Sequence, residues 1–194
     1  MTLVAADDPV AMFSAMFERA AASCAEPDAM VLSTVDADGR PSARYVLLKG
    51  VDDRGFVFYT NVGSRKARAM AAHPYAALTF YWPPETQVRI EGDVEGVSDA
   101  EADAYFVTRP RGSQIGAWAS DQSETLESRP ALDARVSEIE ERFADAPVPR
   151  PPFWAGYRVV ARSIEFWTRD PHRLHERVIF HLENGVWKRS FLFP

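Results

Sequence analysis

Residues 76–94 read Ala76-Ala77-Leu78-Thr79-Phe80-Tyr81-Trp82-Pro83-Pro84-Glu85-Thr86-Gln87-Val88-Arg89-Ile90-Glu91-Gly92-Asp93-Val94. Both ends of this stretch, 76–82 and 87–94, are rich in branched and aromatic residues, the composition of strands, and their short connection suggests antiparallel pairing. The same composition recurs toward the N-terminus at 30–35, 44–48 and 56–60. Asp38-Gly39 and Asp53-Arg54-Gly55 are turn sequences, because glycine accepts positive φ and aspartate bonds its local backbone. One helix interrupts the run, from about 64 to 72, and stops before Pro74. An amphipathic helix opens the chain: Asp7-Asp8-Pro9 offers a cap and a first-turn proline, and Phe13, Met16, Phe17, Ala20, Ala21 and Cys24 follow at helical spacing.

Toward the C-terminus, Ser98-Asp99-Ala100-Glu101 fits a capping box for a helix over 102–107 that ends before Pro110. Another helix starts near Pro130, with Leu132, Val136, Ile139 and Phe143 on one stripe. Pro147-Val148-Pro149-Arg150-Pro151-Pro152 reads as a stiff connector within one domain spanning 1–194, since the segment beyond it is too short to fold alone. Strands are expected at 156–167, 174–182 and 186–192, the last two joined by the hairpin dipeptide Asn184-Gly185. The fold class is therefore mainly β with peripheral helices (α+β), an antiparallel barrel-like sheet.

The chain has 194 residues, 46% of them apolar and 26% charged, a globular composition that excludes disorder, collagen-like fibres and disulfide scaffolds. Its net charge of −6 disfavours nucleic acid as a partner. Cys24 stands alone, which fits a reducing compartment, and no apolar run reaches the roughly 20 residues needed to span a bilayer. The stretch from Met1 to Asp8 lacks a basic flank and a signal-length apolar core. These features point to a soluble cytoplasmic protein without a membrane partner.

Cationic groups are unevenly spread. Arg44 and Lys49 flank one strand, and Ser64-Arg65-Lys66 opens a helix, where unpaired N–H groups and the helix dipole favour an anion. The same triplet also suits a solvated surface. In Arg173-Leu174-His175-Glu176-Arg177, strand alternation would project Arg173, His175 and Arg177 together, with Leu174, Val178 and Phe180 on the other face. Three such groups repel one another unless an acidic ligand, or acids on a neighbouring strand, lie between them. Four histidines without close ligand partners disfavour a metal site. Cys24, on an apolar helix stripe, reads as core, and neither a nucleophile elbow nor a glycine-rich dinucleotide or nucleotide loop occurs.

Eight ordered blocks resemble the FMN-dependent pyridoxine/pyridoxamine 5'-phosphate oxidases from about Asp8 to Pro194. They are Arg44-Tyr45-Val46-Leu47-Leu48-Lys49, Phe58-Tyr59-Thr60-Asn61, Gly63-Ser64-Arg65-Lys66, Gln87-Val88-Arg89, Arg109 through Trp118, Gln122-Ser123, Glu165-Phe166-Trp167 and Arg173 through Arg177. The resemblance implies a split barrel working as a homodimer, with each flavin held between subunits and the C-terminal strands, about 156–194, completing the site. It implies that FMN is held by Arg44, Tyr45, Val46, Leu47, Lys49, Tyr59, Thr60, Ser64, Arg65, Lys66, Gln87, Gln122, Ser123, Trp167 and Arg177. Lys49, Tyr105, Arg109, Ser113, Arg173 and His175 correspond to the family's substrate site, with Arg173 and His175 as catalytic candidates.

The implied reaction oxidises pyridoxamine or pyridoxine 5'-phosphate to pyridoxal 5'-phosphate, with O2 as the final oxidant. Three features depart from the family pattern: an N-terminal Arg-x-x-Tyr segment is absent from this sequence, the connection at 82–86 is a residue shorter, and Phe191 stands where arginine is usual. Phenazine-pathway flavin oxidases share the fold and many blocks; Arg65, Tyr105 and the block from Arg109 favour a phosphorylated substrate. A non-catalytic flavin- or B6-binding split barrel is the other alternative, against which the retained Lys49, Arg109, Arg173 and His175 argue.

Overall fold

The computed structural model describes residues 7–144 and 146–194; the N-terminal reading of residues 1–6 lies outside them. The chain runs α1 (Pro9–Ala21), β1 (Ala29–Val35), β2 (Pro41–Leu47), β3 (Gly50–Asp52), β4 (Gly55–Asn61), α2 (Arg65–Ala72), β5 (Tyr75–Trp82) and β6 (Thr86–Gly96). It continues through α3 (Asp99–Phe106), α4 (Arg111–Ala119), α5 (Arg129–Phe143), β7 (Trp154–Thr168), β8 (Glu176–Glu183) and β9 (Val186–Phe191). All strand pairs are antiparallel, in the order β2-β1-β5-β6-β7-β4-β3, with β8 added to β7 and β9 to β8.

The long strand β7 makes this an open half-barrel. One edge pairs with β6 along nearly its whole length, while the other pairs first with β4, from Trp154 to Val159, and then with β8, from Ser163 to Thr168. Within the β6–β7 ladder the register shifts between Glu91 and Gly92, a bulge that increases local bending. Gly92 is required there, because a Cβ at this position would lie 2.1 Å from the Val160 carbonyl oxygen.

Alternation decides which face is buried. Val88 and Ile90 of β6, Ile164 and Phe166 of β7, and Val178 and Phe180 of β8 are all fully buried on the concave side. Helix α1 covers that side, capped by the Asp8 carboxylate accepting from the Val10 N–H at 2.9 Å. Its Phe13 packs edge-on against Phe56 at 4.9 Å and Phe80 at 5.1 Å, and burying such a side chain contributes about 1.5–3 kcal/mol. The helix stops at Ala21, so Cys24 lies in the following turn, half-buried against the core, and Ala21 is exposed; the expected stripe is one turn too long.

A second, smaller core joins α3, α4 and α5 to the start of β7 through Phe106, Ile115, Val148 and Trp154. The capping box at Ser98 and Glu101 forms as the residues predict. Helix α4 and the short β3 were not legible as elements, since α4 has a proline at its N-cap position without a side-chain cap, and β3 has three residues. Arg111 instead ties α4 to the end of α5, donating to the carbonyls of Phe143, Ala144 and Ala146 at 2.8–3.1 Å. Among the described residues, no helix is long and apolar enough to cross a membrane.

Candidate active site

A cleft of about 510 Å³ opens between β2, β4 and the α3–α4 segment. Tyr45, Val46, Leu47 and Lys49 line it from β2 and its exit, Tyr59 and Thr60 from β4, Lys66 from α2, and Tyr105, Arg109 and Ser113 from the helices beyond. Gln122 and Trp154 complete the wall. Eleven residues assigned from the sequence to cofactor or substrate thus meet in one place. Trp154 was not among them; nothing in its local sequence separates it from a core tryptophan.

At one end the chain gathers cationic side chains around the start of α2. Ser64 is fully buried and caps α2, its Oγ accepting from the Ala67 N–H at 3.4 Å. The segment carrying Gln122 and Ser123 crosses this helix start, where the Arg65 N–H donates to Ser123 Oγ at 3.1 Å. Lys66 Nζ donates to Thr60 Oγ1 at 3.0 Å and Gln122 Oε1 at 2.8 Å. Burial, and then the nearby Arg44, push the Lys66 ammonium down to about 8. Arg44 is itself held by the Leu32 carbonyl, Thr34 Oγ1 and Ser42 Oγ at 2.6–3.0 Å. Asp36 lies 3.5 Å from the Arg65 guanidinium. Three cations gathered with one carboxylate at a helix N-terminus form a site short of negative charge.

The other end holds a second cationic group. The Arg109 guanidinium stacks over Trp154 at 4.9 Å and Phe106 at 5.4 Å, and its Nη1 is buried without a hydrogen-bond partner. Burial lowers the pKa of this arginine. An orphaned donor of this kind is costly unless a ligand satisfies it. Lys49, on the same cleft, pairs with Asp28 at 2.7 Å. Between the two ends the rings of Tyr59, Tyr105 and Trp154 lie nearly parallel, Tyr59 at 4.3 Å from Tyr105 and 5.0 Å from Trp154.

Gln87, Trp167, Arg173 and His175 occupy a different cleft, of about 580 Å³, beside Thr79, Tyr81 and Asp170. The expectation that Arg173, His175 and Arg177 share one strand face is corrected here. Strand β8 begins only at Glu176, and Arg173 has φ of 68°, the left-handed region, so it belongs to a turn. Asp170, a residue the sequence reading passed over, builds that turn: its carbonyl accepts from the Arg173 N–H at 3.2 Å and its carboxylate from the His172 N–H at 2.7 Å. The Asp170-Pro171 dipeptide was the available signal. His175 Nδ1 accepts from the Asp170 N–H at 3.1 Å, and its ring lies 4.6 Å from Trp167. Leu174, expected on the buried face, is 72% exposed.

An antiparallel half-barrel of this strand order, with an aromatic-walled cleft that is cationic at both ends, defines a split-barrel protein. Residues 16–143 match the family model described as pyridoxamine 5'-phosphate oxidase. Residues 154–194 match the pyridoxine 5'-phosphate oxidase C-terminal dimerisation region. The chain belongs to the pyridoxine/pyridoxamine 5'-phosphate oxidase family and is an oxidoreductase. It is 58% identical over 189 residues to the pyridoxine/pyridoxamine 5'-phosphate oxidase of Myxococcus xanthus (strain DK1622), covering 96% of this chain and 92% of that one. It is 56% identical over 194 residues to the same enzyme of Azorhizobium caulinodans, covering 98% and 92%. Among solved structures it is similar to PhzG from Burkholderia lata 383 in complex with tetrahydrophenazine-1-carboxylic acid, with a TM-score of 0.93 and 31% identity over 98% of this chain and 95% of that one.

Proposed function

We propose that the chain oxidises pyridoxamine or pyridoxine 5'-phosphate to pyridoxal 5'-phosphate with bound FMN and O2, as a cytoplasmic homodimer of one-domain subunits. The observation that carries this reading is the pair of separate cationic sites in one aromatic-walled cleft: the reaction brings together two ligands that each bear a phosphate. At the start of α2, Ser64, Arg65, Lys66 and Arg44 suit the FMN phosphate, with Thr60, Gln122 and Ser123 around it. At the other end Lys49, Tyr105, Arg109 and Ser113 suit the substrate phosphate, a dianion that needs several charge-assisted donors.

Tyr45, Val46, Leu47 and Tyr59 would flank the flavin. Gln87, Trp167, Arg173 and His175 would approach from the second cleft of the partner subunit, with Arg177 beside Trp167 in the strand register; for the four of these that lie within 154–194, the match of that segment to a dimerisation region supports the division. When bound, FMN would supply the redox chemistry: a hydride acceptor at N5 for the substrate C4' hydrogen, and a donor of two electrons to O2, which with two protons would leave as hydrogen peroxide. The protein's part is binding, orientation and proton handling. With His175 Nδ1 accepting from backbone, its proton sits on Nε2, which leaves that edge free to donate; Arg173 is held beside it by the Asp170 turn.

Anaerobic mixing of the FMN-loaded protein with pyridoxamine 5'-phosphate tests the reading: the visible flavin band should bleach and return in air, with aldehyde appearing. An unchanged band would overturn it, and bleaching by a non-phosphorylated aromatic acid instead would favour the phenazine-type oxidase that the PhzG likeness represents. Unchanged turnover in both Arg173→Ala and His175→Ala would remove those two residues from the chemistry.

FMN affinity should also depend on pH. The phosphate favours the charged ammonium, so the bound form holds the Lys66 proton to higher pH than the free form, in which it titrates at about 8. Affinity is therefore full below about 8 and falls above it. A titration of apoprotein with FMN at pH 7 and pH 9 checks the sign, and equal or tighter binding at pH 9 would contradict it.

A further inference from the structure

We infer that the cofactor-side arginine Arg177 is aimed by Glu165 and by the backbone carbonyl of Phe193, so that the segment following β9 is part of the ligand-binding apparatus. The inference rests on the proposed contact between Arg177 and FMN. It begins from register. Tyr81 pairs with Gln87, Gln87 with Trp167 and Trp167 with Arg177, which sets four side chains in one row across β5, β6, β7 and β8. Their neighbours Phe80, Val88, Phe166 and Val178 fill the core, so the row points outward, away from it.

The next row along the same face pairs Arg89 with Glu165. The Glu165 side chain is 5% exposed although it stands on the outer face of the sheet. A carboxylate so placed needs compensation, and two guanidinium groups provide it: Arg177 Nε donates to Oε1 at 2.7 Å, and Arg89 Nη2 donates to Oε2. Arg177 Nη1 donates to the Phe193 carbonyl at 2.9 Å, while the Leu192 N–H donates to the Arg177 carbonyl at 3.1 Å. Two of the three guanidinium nitrogens are thereby engaged, and Nη2 has no partner among the described residues.

An unrestrained arginine carries considerable rotamer entropy, which binding would have to remove. Here that ordering is done before any ligand arrives. Phe193 is 94% exposed, so within the protomer it is held through its carbonyl by Arg177 rather than by packing of its ring.

The test uses a chain stopped after Leu192, the Glu165→Gln variant and Arg177→Ala, each compared with the full-length parent, with FMN affinity read by quenching of flavin fluorescence. Stopping after Leu192 should weaken FMN about 2–10-fold, the ordering cost of one long side chain. The thermal midpoint of the apoprotein and its dimeric state should stay unchanged. In the Arg177→Ala background the same truncation should have no further effect, a non-additivity that a merely structural role would not produce. A chain stopped after Phe193 keeps an acceptor at that position and should keep its affinity. If truncation after Leu192 leaves affinity unchanged while Arg177→Ala lowers it, the positioning role is overturned and the cofactor contact stands. If Arg177→Ala itself leaves FMN affinity unchanged, both fall. Additive losses in the double variant would also overturn the inference.

Discussion

Replacing Lys66 by methionine is expected to weaken FMN binding about 10–100-fold, the loss of one charge-assisted hydrogen bond of about 1.5–3 kcal/mol. The substitution keeps the apolar stem and removes the ammonium that sits between Thr60, Gln122 and Arg44. It should not destabilise the apoprotein. A buried ammonium beside Arg44 is already disfavoured, as its lowered pKa records, and the Thr60 hydroxyl still donates to Gln122 Oε1 at 2.8 Å. The expected signature is therefore a raised FMN dissociation constant with an equal or higher apoprotein melting temperature. With FMN saturating, KM for pyridoxamine 5'-phosphate should be nearly unchanged. An FMN affinity within threefold of the parent would show that the cation cluster at the start of α2 is not where the cofactor phosphate binds.

Arg109→Leu should act on the other ligand. KM for pyridoxamine 5'-phosphate is expected to rise about 10–100-fold while FMN affinity changes less than threefold, because the lost donor faces the substrate end of the cleft. Unphosphorylated pyridoxamine should be used equally by parent and variant, which ties the loss to the phosphate. Arg109→Lys should rescue only in part: lysine restores the charge but cannot reproduce a planar guanidinium stacked over Trp154. Equal losses for FMN and substrate would contradict the separation of the two anion sites.

Much of this was legible before any tertiary contact was known. The run of branched and aromatic residues in 76–94 gave β5 and β6, the Asn184-Gly185 dipeptide gave the β8–β9 hairpin, and Ser98 with Glu101 gave the start of α3. These are local signals, readable because turn chemistry and capping depend on residues a few positions apart. Helix α4 has a proline at its N-cap position and no side-chain cap, so no local start signal marks it; it is secured by the adjoining core and by Arg111 reaching the carbonyls of a later segment. The error at Arg173 has a similar cause. Alternation assumes a strand, whereas Asp170 turns the chain and delays β8 to Glu176.

For the site, the sequence by itself determined which residue types were available: the helix-opening Ser64-Arg65-Lys66, the Arg109 block and the titratable group of Arg173 and His175. It also carried the family likeness, in eight ordered blocks along the chain. Only the tertiary structure decided how they are divided. Eleven of the assigned residues line one cleft and four another, a partition set by β7 leaving β4 for β8 halfway along its length. It alone revealed the partnerless Nη1 of Arg109 over Trp154, and Glu165 buried between Arg89 and Arg177. Such pairings join positions far apart in the chain, and no local pattern encodes them, because burial and charge compensation exist only once the sheet has curled and the helices have closed over its edge.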